Sequence, residues 1–176
     1  MPAPLIWLGA AVLGLYASDK ANIAYLKQKN IVKGMPGDQS DKVEPADGSV
    51  VCCGVYGVLD HTGIWVDGNI YELNGNGLVR CISPSRFLDN RTGSTIYVAC
   101  NDYGVALANT TASNRAQSHL YSLFDYHLIR QNCHRFVAEM IAGICIDITS
   151  FSELNTFLNK HYDERISWLP ADYPLR

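Results

Sequence analysis

Two different periods organise the chain. In the first half, short apolar runs alternate with turn residues. Ser49 to Val55 is a continuous apolar run bounded by turn residues, the pattern of a buried strand. His61 to Val66 and Asn69 to Leu73 flank Asp67-Gly68. An Asp-Gly pair between two strand-like runs predicts a hairpin, because a type I′ turn needs positive φ at both central residues. Leu78 to Ile82 and Thr95 to Cys100 read as further strands, with Ser83 to Leu88 a short helical turn between them. The second half changes to helical spacing. Thr111 to Phe124 predicts a helix with Thr110 or Thr111 as N-cap and Ala116, Leu120, Leu123 and Phe124 on one face. Cys133 to Ala142 follows, stopped by Gly143, and Ser150 to Lys160 opens with a capping box of Ser150 and Glu153. Strands first and helices later predict an α+β fold, an antiparallel sheet packed against helices, over alternating βαβ units.

Before this lies a different segment. Pro4 to Ala17 carries no charge, is shorter than the ~20 residues of a spanning helix, and lacks the basic lead of a secretory signal. It is expected to rest on or insert into a membrane, to be a helix buried on the protein or a partner, or to act as an atypical signal peptide. Asp19 to Ile31 reads as a helix continuing or following it, and a Gly/Pro-punctuated linker follows. The expected division is residues 1–42, apolar helix and linker, and residues 43–176, a catalytic domain.

Composition narrows the classes. The 176 residues with 48% apolar content suffice for a globular core. The net charge of −3 comes without any block of like charge, so no nucleic-acid partner is expected. The six cysteines lack the spacing of a disulfide scaffold or a zinc site, and are expected as buried free thiols. No metal or cofactor is expected.

The chemistry gathers in two segments. If Asp67 and Gly68 are the hairpin loop, Val66 pairs with Asn69 and Ile64 with Tyr71, so His61, Gly63, Glu72 and Asn74 share one face. Glu72 or Asn74 could then hold one imidazole nitrogen of His61 and leave the other to accept a proton. Gly63 would leave open space beside the ring. Cys133 starts an apolar stripe of Phe136, Val137, Met140, Ile141 and Ile144, so it faces the sheet from the positive end of a helix. A thiol placed there beside an imidazole is a nucleophile–base pair, and free N–H groups of the first turn could bind an oxyanion.

The segment from Tyr126 through Gln131-Asn132-Cys133-His134-Arg135-Phe136-Val137 resembles the nucleophile motif of the lecithin:retinol acyltransferase-like family. His61-Thr62-Gly63-Ile64-Trp65-Val66-Asp67-Gly68 resembles its His-box strand and turn, and Pro45-Ala46-Asp47-Gly48 resembles the lead-in to its first strand. The likeness spans roughly residues 44 to 145. It implies a circularly permuted, NlpC-type, papain-like fold, with Cys133 as nucleophile, His61 as base, Glu72 in the place of a second histidine, and Tyr126 and Asn132 as supporting residues. The residues after the nucleophile depart from that family's Cys-Glu-His-Phe, so nothing carries over to 134 or 135.

The expected function is a cysteine hydrolase that cleaves an amide through an acyl-enzyme. Bacterial cell-wall peptide is the substrate that NlpC-type relatives imply, and Glu72 in place of a histidine leans that way. Lipid acyl transfer, phospholipase or thioesterase action by the same pair is the alternative, and a membrane-tethered binding module is the rival outside enzymes. Uncharged starts of this kind are similar to those of some bacterial secreted effectors. That implies delivery to the envelope or periplasm, or membrane association, or the cytoplasm if the N-terminal run is buried; an immunity or carrier protein is a partner left unknown.

Overall fold

The computed structural model describes residues 21–55, 59–89, 91–125, 127 and 131–173. Among them the chain forms a mixed seven-stranded sheet and five helices, an α+β arrangement. Residues 21–28 are helical (α1) and lead into β1 (Val32–Gly34). Then come β2 (Val50–Val55), β3 (Leu59–Val66), β4 (Asn69–Leu73), β5 (Val79–Ile82), α2 (Pro84–Leu88) and β6 (Tyr97–Cys100). The helices α3 (Thr110–Ser118), α4 (Cys133–Ala142) and α5 (Phe151–Tyr162) follow, and β7 (Ile166–Pro170) closes the sheet. The strand order is β1-β7-β6-β2-β3-β4-β5.

The sheet separates two cores. On one face Val50, Cys52, Ile64 and Val66 pack with Phe136, Val137 and Met140 of α4 and with Leu154 and Leu158 of α5. On the other, Val51, Cys53, Trp65 and Ile70 pack with Phe87 of α2. The alternation along β2 and β3 thus serves two cores at once, and β2 reads as an unbroken apolar run because both of its faces are covered. Trp168 of β7 donates its indole N–H to Asn155 of α5 at 2.8 Å, both fully buried. That bond fixes the last helix against the last strand.

The structure corrects several expectations. The sheet is not wholly antiparallel: β1 pairs with β7 in parallel. The segment expected as helix and linker supplies β1 and buries Leu26, Val32 and Met35 in the core that α4 also packs against. The helix predicted to reach Phe124 ends at Ser118, its N-cap is Asn109 rather than a threonine, and Leu123 is exposed. Asn109 wins the cap because its carbonyl oxygen accepts the Ala112 N–H. Ile144 leaves the apolar stripe because Gly143 turns the chain with φ of 73°. Cys81 and Cys145 are exposed; Cys52, Cys53, Cys100 and Cys133 are buried, and all are free. The run Pro4 to Ala17 lies outside the described residues, among which no helix is long and apolar enough to cross a membrane.

Candidate active site

The helix α4 begins at a side-chain cap. Asn132 accepts the N–H groups of His134 and Arg135 on its Oδ1, both at 3.1 Å, and donates its amide to the Thr149 carbonyl at 2.7 Å. The cap fixes where the helix starts and makes Cys133 its first residue, at the positive end of the dipole. Phe136, Val137 and Met140 press the same side of the helix onto the sheet and carry the thiol inward. The oxyanion expectation narrows here. Two first-turn donors are spent on Asn132, so among the described residues the Cys133 N–H is the first-turn donor that this cap leaves over.

The hairpin opposite forms as its turn requires. Asp67 and Gly68 have φ of 47° and 71°, and Val66 pairs with Asn69 and Ile64 with Tyr71. The β3–β4 pairing stops at Ile64, while β2–β3 pairing continues to Leu59. His61 therefore lies beyond the last β3–β4 pair, where its ring can reach both neighbours. Its Nε2 meets Glu72 Oε2 at 2.7 Å. Asn74 plays a different part: its Oδ1 accepts the N–H groups of Asn76 and Leu78 and shapes the turn before β5. Gly63 does not leave open space. A Cβ there would sit 2.5 Å from Ile70 Cγ2 and 2.9 Å from the Tyr71 carbonyl oxygen, so glycine is needed for the close approach of β4.

Glu72 is fully buried and satisfied on both oxygens. Arg80, its register partner on β5, donates to Oε1 at 2.7 Å; Arg91 donates to Oε2 at 2.9 Å beside His61. Arg91 is itself held by the Phe87 carbonyl and lies over the Phe87 ring. Burial alone would raise the Glu72 pKa. Hydrogen bonding and charge from His61, then Arg91, overcome that and bring it down to about 2.

Thiol and ring meet. With Nε2 on Glu72, Nδ1 is the His61 nitrogen left for Cys133, and the two side chains interact by charge and hydrogen bonding. Burial would lower the His61 pKa, but Cys133 foremost and Glu72 next raise it to about 9. Burial would raise the Cys133 pKa, yet His134 and His61 hold it well below its ordinary value. The other buried thiols go the opposite way. Burial pushes Cys52 well up, Cys53 to about 11 and Cys100 to about 12. Cys133 is thus set apart from the neighbouring buried thiols: the imidazoles beside it favour its thiolate form, whereas burial favours the protonated form of the others.

His134 was not foreseen at this site. Its Nδ1 stands 3.9 Å from Cys133 Sγ and 3.2 Å from Thr62 Oγ1, and its ring packs on Phe151 at 5.7 Å between centroids. Thr62 is the residue after His61, so a signal existed in the hairpin, though only the tertiary fold joins it to α4. Tyr126 lies outside the described residues.

No family model, curated protein or solved structure matches this chain. Its chemistry must be read from the arrangement itself. Two cavities, about 350 Å³ beside Trp65 and Tyr173 and about 400 Å³ beside Arg115 and Arg135, are lined by neither Cys133 nor His61. Among the described residues no group of three His, Cys, Asp or Glu side chains is placed to hold a metal ion. The arrangement brings together a cysteine at a helix N-terminus, a histidine on a rigid strand, and a buried carboxylate hydrogen-bonded to that histidine.

Proposed function

We propose that this chain is a cysteine hydrolase with a permuted, NlpC-type, papain-like fold, acting on an amide bond through an acyl-enzyme. The Cys133 sulfur attacks the carbonyl carbon, and the Cys133 N–H receives the developing oxyanion. His61, protonated on Nδ1, gives that proton to the leaving nitrogen as the C–N bond breaks. The neutral ring then takes a proton from water, which attacks the acyl carbon and releases the sulfur as thiolate. Glu72 holds the ring through Nε2 and keeps Nδ1 aimed at the sulfur.

The observation that carries this reading is the Cys133 thiol held low, against its burial, beside a histidine anchored on a buried carboxylate. The substrate we assign is bacterial cell-wall peptide, because a carboxylate stands where lipid-acting relatives of the resembled family would carry a second histidine. That substrate would place the protein at the bacterial envelope, as a delivered effector. The test compares wild type with Cys133→Ala and His61→Ala on purified cell wall and on phospholipid vesicles. Release of peptide fragments by wild type, lost in both variants with unchanged circular dichroism, is the expected result. Turnover of vesicles alone transfers the site to lipid acyl chemistry, and turnover by Cys133→Ala ends the proposal.

A further inference from the structure

We infer that His134 is a second imidazole of this site, a positioning residue whose Nδ1–H steadies the Cys133 thiolate while His61 alone carries the proton. The inference deepens the hydrolase reading and rests on it. One nitrogen of His134 faces two acceptors, Cys133 Sγ at 3.9 Å and Thr62 Oγ1 at 3.2 Å. Adjacent residues of a helix point about 100° apart, so His134 would ordinarily turn away from the sulfur before it. Thr62, fully buried, and the Phe151 ring hold it there, and His134 is itself buried. A tautomer with the proton on Nδ1 serves the sulfur and the threonine oxygen together; the other tautomer can accept from Thr62 but gives the thiolate nothing.

The two rings then divide the work. His61 has its second nitrogen on Glu72 and exchanges its Nδ1 proton with leaving group and water. His134 exchanges none. When water attacks the acyl carbon and the carbon–sulfur bond breaks, the electron pair passes to sulfur. A fixed N–H receives that charge with no proton transfer.

The other charged groups around the thiol do not supply this. On α4 itself, Arg135 is paired with Glu139 and Asp147. From α3, Arg115 is spent on the Met140 and Ile141 carbonyls at the far end of α4. At the start of α5, Glu153 is engaged by Thr149 and Ser150. On β4, Glu72 reaches the sulfur only through His61, and on β2 the Cys52 thiol stays protonated, pushed up by its burial.

The experiment follows iodoacetamide alkylation of Cys133 against pH, by peptide mass spectrometry, in the full chain and in His134→Gln and His61→Gln. His134→Gln is expected to raise the alkylation midpoint by about one pH unit, a roughly tenfold slower reaction below it. His61→Gln, which removes the cationic partner of the thiolate, is expected to raise it at least as much. An unmoved midpoint in His134→Gln, with the low midpoint lost in His61→Gln, overturns the inference and leaves the hydrolase reading standing. A wild-type Cys133 that titrates like an ordinary thiol removes both. Nitrogen-15 NMR of the wild-type His134 ring gives a second reading that needs no variant: a proton on Nδ1 supports the inference, and a bare Nδ1 overturns it.

Discussion

Replacing Glu72 with glutamine keeps the shape and removes the charge at the centre of the site. Three cationic groups then surround a neutral amide. Arg91, with 13% of its side chain exposed, cannot turn to water, whereas Arg80 at 40% can. Breaking a buried pair by removing one partner costs about 3–5 kcal/mol, and the Arg80 share is small because water screens it. Proton linkage gives a similar figure. The fall of the Glu72 pKa from its ordinary 4.5 to about 2 corresponds to about 3 kcal/mol. The folded pKa is depressed, so this stability is present above 4.5 and is lost as pH falls toward 2. Glu72→Gln should therefore lose about 3 kcal/mol at pH 7 in urea unfolding, or about 6–12 °C in melting temperature for a chain of this size. The gap to wild type should close as pH falls from 4.5 to 2. Turnover should fall less than in His61→Ala, because Nδ1 keeps its place beside the sulfur. A gap below about 1 kcal/mol at pH 7, or one that stays constant down to pH 2, refutes the argument.

Further outcomes follow from the same geometry. Gly63→Ala forces a methyl into Ile70 and the Tyr71 carbonyl, and should cost about 1–3 kcal/mol by separating β3 from β4, read by thermal melting. Asn132→Ala removes the α4 cap and the link to Thr149; it should cost about 1–2 kcal/mol and slow alkylation of Cys133, since the thiol loses its fixed position. Turnover should fall on the alkaline side near pH 9, where His61 loses the proton it must donate, so a pH–rate profile still rising above 10 contradicts the assigned role.

The hairpin was legible because its turn chemistry fixes the register. Asp67-Gly68 determines which residues of β3 and β4 share a face, and that alone brings His61 to Glu72. Arg80 was within reach of the same reasoning, as the β5 residue opposite Glu72, but Arg91 comes from the loop after α2 and carries no periodic mark. The strands β1 and β7 escaped notice for a different reason. Val32–Gly34 is too short to show alternation, and its partner Ile166–Pro170 is buried along most of its length and lies near the other end of the chain. The end of α3 misled because Leu120 and Leu123 continue the helical spacing past Ser118. The chain instead turns at Tyr121, whose φ is 66°, and the Leu78–Leu123 bridge joins this segment to the start of β5. His134 stayed hidden since helical spacing turns it away from Cys133 and only Thr62 brings it back.

The central claim is that Cys133 is an activated nucleophile, and site-resolved thiol labelling tests it most directly. Exposure and activation make opposite forecasts here: Cys81 and Cys145 are open to solvent and Cys133 is 5% exposed. Brief treatment of the full chain with a small alkylating probe near neutral pH should modify Cys133 ahead of both exposed thiols, and His61→Gln together with His134→Gln should abolish that preference. Labelling of Cys81 and Cys145 first, with Cys133 left unmodified, would contradict the account.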